Sequence, residues 1–268
     1  MSGFSSKWLS LREPLDIAAR NRAVEQSFLE QLPGGSPKIL DLASGAGSTV
    51  AALKDRLPAD TRWLLTDHDK GLIDVASKRW KNRLKGDLSF RQVDLAGALE
   101  DLPFGEVDAV STSAFLDLVS ESFLTRLVDC IVSAGKPFLA SLTYDGQADF
   151  APPATLDRAM RDALNTDQLL DKGFGPALGP GAAPCAVELF KARGYNVLQG
   201  QSDWRVDASE KDFLEEFLNG WAGLGLRKGL DRNVLEDWRR LRSDQTASGE
   251  IRVRIGHIDF AAYPGVNC

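Results

Sequence analysis

Apolar residues along this chain fall into two alternating rhythms: short, nearly continuous runs, and longer segments where they return every third or fourth position. The first segment of the second kind starts at Pro14, a residue suited to a first helical turn. Ile17, Asn21, Val24, Phe28 and Leu32 mark one face of it, and Pro33-Gly34-Gly35 ends it. Pro37–Val50 then reads as strand (Ile39, Leu40, Leu42), small-residue turn (Gly45, Gly47) and helix, whose face continues through Leu53 and Leu57. Arg62–Thr66 predicts a second strand ending at Asp67, and a helix with Leu72, Ile73, Val75 and Ala76 follows. Ser89–Val93 is a third strand, ending at Asp94-Leu95, and Glu106–Ser111, bounded by Ser113, is a fourth. A helix with Phe123, Leu124, Leu127, Val128 and Ile131 leads to the fifth, Lys136–Thr143. Strands alternating with helices in this way predict an α/β fold with a doubly wound, mostly parallel sheet.

The rhythm breaks at Tyr144. Leu156, Ala159, Met160, Ala163 and Leu164 predict a short helix. Residues 171–184 hold four glycines and three prolines, a composition typical of a cover over a site. A helix around Val187–Arg193, ended by Gly194, precedes a sixth strand at Tyr195–Gln199. Ser209 with Asp212 reads as a capping box for a helix carrying Phe213, Leu214, Phe217, Leu218 and Trp221. Another helix bears Val234, Trp238 and Leu241, and Ile251–Phe260 is the last strand. We expect one domain over 1–268: an N-terminal helical segment (1–36), a ligand-binding half (37–145), an insertion or lid (146–184), and a C-terminal part (185–268) with the last two strands.

Composition narrows the functional classes. The chain has 268 residues, 43% hydrophobic and 26% charged, as in ordinary globular proteins. The net charge of −6 implies no general attraction to a phosphate backbone or an anionic membrane, so no nucleic-acid or membrane partner is expected. The N-terminus has no signal-peptide core, and no run reaches the roughly 18 apolar residues of a membrane helix. Cys130, Cys185 and Cys268 lack metal spacing and read as reduced thiols, so a cytoplasmic location and no metal are expected.

The glycine turn carries the chemistry. A strand, a tight turn and a helix N-terminus form an anion-binding corner in doubly wound sheets. In Gly45-Ala46-Gly47-Ser48-Thr49-Val50, Val50 stands where a dinucleotide fingerprint needs a small residue, which argues against NAD; no phosphate-binding loop is present either. Asp41-Leu42-Ala43-Ser44-Gly45-Ala46-Gly47 resembles the first motif of the class I S-adenosylmethionine-dependent methyltransferases, over roughly residues 14–145. The resemblance implies a seven-stranded Rossmann-like sheet and S-adenosyl-L-methionine as cofactor. It places Asp41, Ala43, Ser44, Gly45 and Gly47 around the methionine end, Asp67 on the ribose, and Asp94 with Leu95 at the adenine. His68 replaces the usual aliphatic residue, where it would stack on the base. Physical chemistry agrees: an ionised acid only accepts hydrogen bonds, which suits a ribose diol. Arg20, able to reach an anionic ligand group, and Ser111 and Ser113, at the fourth strand's end, complete the cofactor set.

Catalytic candidates follow the fourth and fifth strands: Asp117, Tyr144 and Asp145. His257, in the last strand, reads as a sheet histidine. Ser111–Phe115 lacks the [N/D]-P-P-[Y/F] segment of nucleic-acid amino-methylating enzymes, so the expected partner is a small-molecule substrate methylated at O, N or C by in-line displacement. Two other readings are a non-catalytic protein of the same fold and, disfavoured by Val50, a dehydrogenase. The oligomeric state leaves no mark in the sequence.

Overall fold

The computed structural model describes residues 5–265; residues 1–4 and 266–268, and with them Cys268, lie outside the described part. In chain order the elements are α1 (Ser6–Ala19), α2 (Arg22–Leu29), β1 (Lys38–Leu42), α3 (Ser48–Leu53), β2 (Arg62–Asp67), α4 (Lys70–Trp80), β3 (Leu88–Gln92), α5 (Leu95–Ala98), β4 (Ala109–Ser113) and α6 (Glu121–Ser133). Then come β5 (Phe138–Ala151), α7 (Asp157–Gln168), α8 (Ala182–Ala192), β6 (Tyr195–Gln201), β7 (Trp204–Asp207), α9 (Lys211–Arg227), α10 (Arg232–Ser248) and β8 (Arg252–Pro264). They build one sheet in the order β3-β2-β1-β4-β5-β8-β6, with β7 also paired to β8. The strands β1 to β5 pair in parallel, and β8 runs antiparallel to β5, β6 and β7.

Side-chain alternation along each central strand feeds both faces of the sheet. Leu40, Leu42, Val110, Phe138 and Ala140 enter a core under α6 and α8, while Ile39, Leu65, Ala109 and Leu139 enter one under α2, α3 and α4. A third core stands beyond the sheet's end. There β5 and β8 continue as a long ribbon joined by β7, and Tyr144, Phe150, Trp204, Val253 and Ile255 pack against α1, α7, α9 and α10 through Leu15, Met160, Phe213, Trp221 and Trp238.

Several expectations are corrected. The expected N-terminal helix is two helices. Its α1 portion starts at Ser6, so Pro14 lies inside the helix, and the break falls at Asn21. There the side chain caps α2 by accepting from the Ala23 and Val24 N–H groups. The Asn21 N–H in turn donates to Asp259 Oδ2 at 2.8 Å, which pins the break to β8. Phe104–Glu106 is a 3₁₀ turn, so β4 begins at Ala109 rather than Glu106. The capping box at Ser209 and Asp212 does not form: the Ser209 N–H donates to Asp207 Oδ1, and Glu210 precedes α9 without a side-chain cap. Part of the expected insertion, through Ala151, is strand, and β7 adds an eighth strand. Gly194, at φ +80°, does end α8.

Candidate functional site

The crevice at the carboxyl ends of β1 and β4 is where the strand order reverses, the ligand position of doubly wound sheets. Three neighbouring strands carry left-handed residues that are not glycine at this level: Ala43 (φ 49°) after β1, Ala114 (φ 50°) after β4, and Leu142 (φ 57°) within β5. Each such residue costs about 1–2 kcal/mol, and such strain gathers at functional sites. Buried Asp259 offsets it at Leu142 by accepting that N–H at 2.7 Å. In the turn, Gly47 has φ +83°, and a Cβ there would lie 2.9 Å from Trp80 Cδ1. The Trp80 indole N–H donates to the Ala46 carbonyl at 3.1 Å, so the ring closes on the turn and only glycine fits beneath it.

The turn uses most of its own donors. The Ser44 N–H goes to the Thr66 carbonyl (2.8 Å), the Gly47 N–H to Ser44 O (2.9 Å), and the Gly45 N–H to Asp67 Oδ2 (2.8 Å). Asp67 Oδ1 accepts from the Asp69 N–H at 2.9 Å. Asp67 thus ties the ends of β1 and β2 together, and only its remaining lone pairs face a ligand. What the fold leaves without partners among the described residues are side-chain atoms: Asp41 Oδ2, Ser44 Oγ, Thr49 Oγ1 and Arg20 Nε, all buried. Asp41 Oδ1 accepts from Ser111 Oγ at 2.7 Å, and the Arg20 terminal nitrogens donate to Ser141 (3.1 Å) and Ser113 (3.2 Å). Burial pushes Asp41 up to about 7, against the hydroxyls of Ser111 and Thr49 and the charge of Arg20. The hydroxyls of Ser44 and Thr49 and the Arg20 Nε–H beside the Asp41 carboxylate complement a zwitterion, as in the methionine end of an adenosyl cofactor.

The other expected cofactor residues lie along the rim. His68 is half exposed, its Nδ1 3.4 Å from Asp67 Oδ1. Asp94 caps α5 by accepting the Ala96 N–H at 3.0 Å, and Leu95 is buried behind it. The helix α1 crosses above: Leu9 is the nearest side chain to Gly45, and Glu13 on α1 grips Arg79 on α4 through two bonds of 2.5 and 2.6 Å.

A second group of polar residues gathers past β4 and β5. Asp117 sits in a 3₁₀ turn, Leu116–Leu118, and is buried with Oδ1 unpartnered among the described residues. Burial lifts it to about 6, restrained by the backbone N–H groups of Asp117 and Tyr144 and by the charges of Arg12 and Lys172. Tyr144 pairs with His257 across β5 and β8, their rings 6.3 Å apart. Burial first, then the Arg12 charge, lower His257 to about 3, so it is neutral; its Nδ1 also lacks a partner among the described residues. Of the expected catalytic residues, Asp117 belongs to this group. Tyr144 lends it a backbone N–H and a ring, but its hydroxyl donates to Asn165 Oδ1 at 2.9 Å, and burial raises its pKa. Asp145 is not brought in: it faces the opposite side of the strand, packed on Gly256 and accepting the Gln147 N–H at 2.9 Å. Arg12 and His257, outside the expected site set, are the residues the pocket adds. Among the described residues, no group of three or more His, Cys, Asp or Glu could hold a metal ion, and no helix is long and apolar enough to cross a membrane.

Comparison with known proteins bears on the fold that carries this site. Residues 39–137, the run from β1 to the start of β5, match the model of the methyltransferase domain family. A cyclopropane-fatty-acyl-phospholipid synthase-like protein of Lactobacillus casei superposes with a TM-score of 0.55 at 14% identity, over 97% of this chain and 94% of that one. The cyclopropane synthase MmaA2 of Mycobacterium tuberculosis gives 0.52 at 12% identity, over 97% and 94%. At this identity the likeness is one of fold. No curated protein matches the sequence.

Proposed function

We propose that this chain, whose residues 39–137 match the methyltransferase domain family, is a class I S-adenosylmethionine-dependent methyltransferase that methylates a hydroxyl or amino group of a small molecule, with Asp117 as general base. The cofactor, S-adenosyl-L-methionine, supplies an electrophilic methyl group when bound. Arg20, Ser44 and Thr49 would hold its carboxylate, Asp41 its ammonium, and Asp67 its ribose. The observation that carries the choice of acceptor is the buried, unpartnered Oδ1 of Asp117. Held near 6, this carboxyl is ionised at neutral pH and accepts a proton from a nucleophile oriented in front of it. A carbon nucleophile that carries no acidic proton would leave that oxygen without a role. Acidic composition and the aromatic walls around Tyr144 and Trp204 favour a small acceptor over a nucleic acid.

The domain expectation is refined in the same terms. Residues 146–184 act as a fixed wall of the acceptor pocket rather than a free lid. Asn165 holds Tyr144, Phe174 packs 4.7 Å from Phe123, and the Leu178 N–H donates to the Val119 carbonyl at 2.8 Å.

The test has two stages. Calorimetric titration with S-adenosylmethionine, S-adenosylhomocysteine and NAD should give heat with the first two only. A panel of small alcohols, phenols and amines, followed by release of S-adenosylhomocysteine, should then find an acceptor whose turnover Asp117→Asn abolishes. Full turnover by Asp117→Asn would remove the base assignment.

A further inference from the structure

Resting on the reading of this pocket as the acceptor site, we propose that the acceptor carries a carboxylate and that Arg12 is the residue that binds it. Arg12 is nearly buried, with 11% of its side chain exposed, yet it forms only one hydrogen bond among the described residues: Nε–H to Asp16 Oδ2 at 2.9 Å. Asp16 engages the guanidinium through one oxygen only, while its Oδ1 accepts the Trp204 indole N–H at 3.0 Å. The guanidinium also lies over the Trp204 ring, 5.7 Å from its centroid. An acid and an aromatic face thus fix the group, while its outer edge, the pair of terminal nitrogens, meets no protein acceptor among the described residues. Arg20 and Arg242, more deeply buried, and Arg79, more exposed, all commit their terminal nitrogens to protein oxygens.

That free edge belongs to the acceptor side and not to the cofactor side. The Arg12 charge acts on Asp117 and His257, whereas the charge felt by Asp41 is that of Arg20. Trp204 touches both Arg12 and the His257 ring, whose centroid is 5.1 Å away. Arg12, on α1, and Arg20, just past its end, are eight residues apart, about 12 Å along the helix axis. The helix and its C-terminal residue therefore present a cation to each substrate. A planar fork of N–H donors matches a carboxylate in two parallel bonds, and a guanidinium fixed through Nε, with its terminal nitrogens turned to solvent, is the arrangement that an arriving anion completes. The two unpartnered buried atoms beside it, Asp117 Oδ1 and His257 Nδ1, complement a neighbouring hydroxyl or amine on the same molecule. The charges facing this place are Arg12 and Asp16 from α1, Asp117 from the turn after β4, Lys172 from the loop after α7, and Asp203 from the corner before β7. A monoanion suits this balance better than a dianionic phosphate.

The experiment uses the full chain loaded with S-adenosylhomocysteine and titrated with benzoate, an aromatic carboxylate. The Cε1–H resonance of His257 is followed by NMR. The sequence holds two histidines, so His68→Gln assigns the pair. Benzoate should shift the His257 signal to saturation, uncharged benzamide should not, and Arg12→Gln should abolish the response. Arg12→Lys keeps the charge beside Asp16 without the fork and should weaken benzoate by about tenfold. That variant decides the matter if Arg12→Gln fails to fold. Equal binding of benzoate and benzamide, equal benzoate affinity in wild type and both variants, or a larger response to inorganic phosphate would overturn the assignment. Binding of S-adenosylhomocysteine with no benzoate response would sink the carboxylate alone; no binding of S-adenosylhomocysteine would sink the reading beneath it.

Discussion

Replacing Asp41 by Asn probes the cofactor crevice where its electrostatics are most demanding. Asp41 is fully buried, and burial moves its carboxyl from 3.8 to about 7. The sign follows from linkage: the folded protein holds this proton more tightly than the unfolded chain does. Stability is therefore full below about 4, falls as pH rises towards 7, and stays reduced above it. At 1.36 kcal/mol per pH unit the loss is at most about 4 kcal/mol. Asn has no charge to bury, and its carbonyl oxygen can keep the Ser111 bond, though its NH₂ would face the Arg20 guanidinium. We expect Asp41→Asn to be about 1–3 kcal/mol more stable than wild type at pH 8 and no more stable at pH 5. Urea unfolding at the two pH values measures this. An equal difference at both would refute the argument, because the pH dependence comes from the gap between the folded and unfolded pKa of Asp41, which Asn lacks. The same variant should bind S-adenosylhomocysteine at least about tenfold more weakly at pH 8, since the ligand's ammonium loses its carboxylate. A gain in stability with a loss of binding is the pattern of a residue kept for its ligand.

Three further outcomes are expected. Once an acceptor is in hand, wild-type kcat/KM should rise with pH through about 6 as Asp117 ionises; in Asp117→Asn that limb should vanish and kcat fall about 100-fold, with unchanged circular dichroism. Gly47→Ala meets both a left-handed backbone and the Trp80 ring, and should lower stability by about 2 kcal/mol or more in the same urea assay. Glu13→Gln should cost less than about 1 kcal/mol, because its pair with Arg79 is partly exposed, yet speed S-adenosylhomocysteine release several-fold by stopped-flow tryptophan fluorescence. An unchanged release rate would show that α1 does not cover the cofactor.

The parallel half of the fold was legible because each strand is a compact apolar run closed by an acid or a small residue, and tertiary packing did not override that pattern. β7 was not: its alternation, Trp204-Arg205-Val206-Asp207, is real but too short to separate from a loop. The break at Asn21 was hidden because that residue falls on an apolar helical face, and its cap depends on Asp259, far away in sequence. The turn motif located the crevice correctly. It did not reveal that the fold occupies the Ser44, Gly45 and Gly47 N–H groups, so that what stays unpartnered among the described residues is side-chain hydroxyls and Arg20 Nε. Asp145 seemed equivalent to Tyr144, but adjacent strand residues point to opposite faces, so only one of them could meet His257. Arg12 lay before the expected helix start, and nothing local marks it; its meaning comes from Asp16 and Trp204, the latter nearly two hundred residues on.

The ribbon of β5 and β8 has a consequence for how the protein can change. Phe138, Leu139 and Ala140 lie in the sheet's two cores, while Tyr144, Ala148 and Phe150, on the same strand, lie in the third. The sheet that carries the glycine turn and the third core beyond it are therefore joined by one continuous backbone, with no linker at which they could part. The two share one folding fate, and sequence change that reshapes the third core is filtered by its effect on the strands that also shape the crevice.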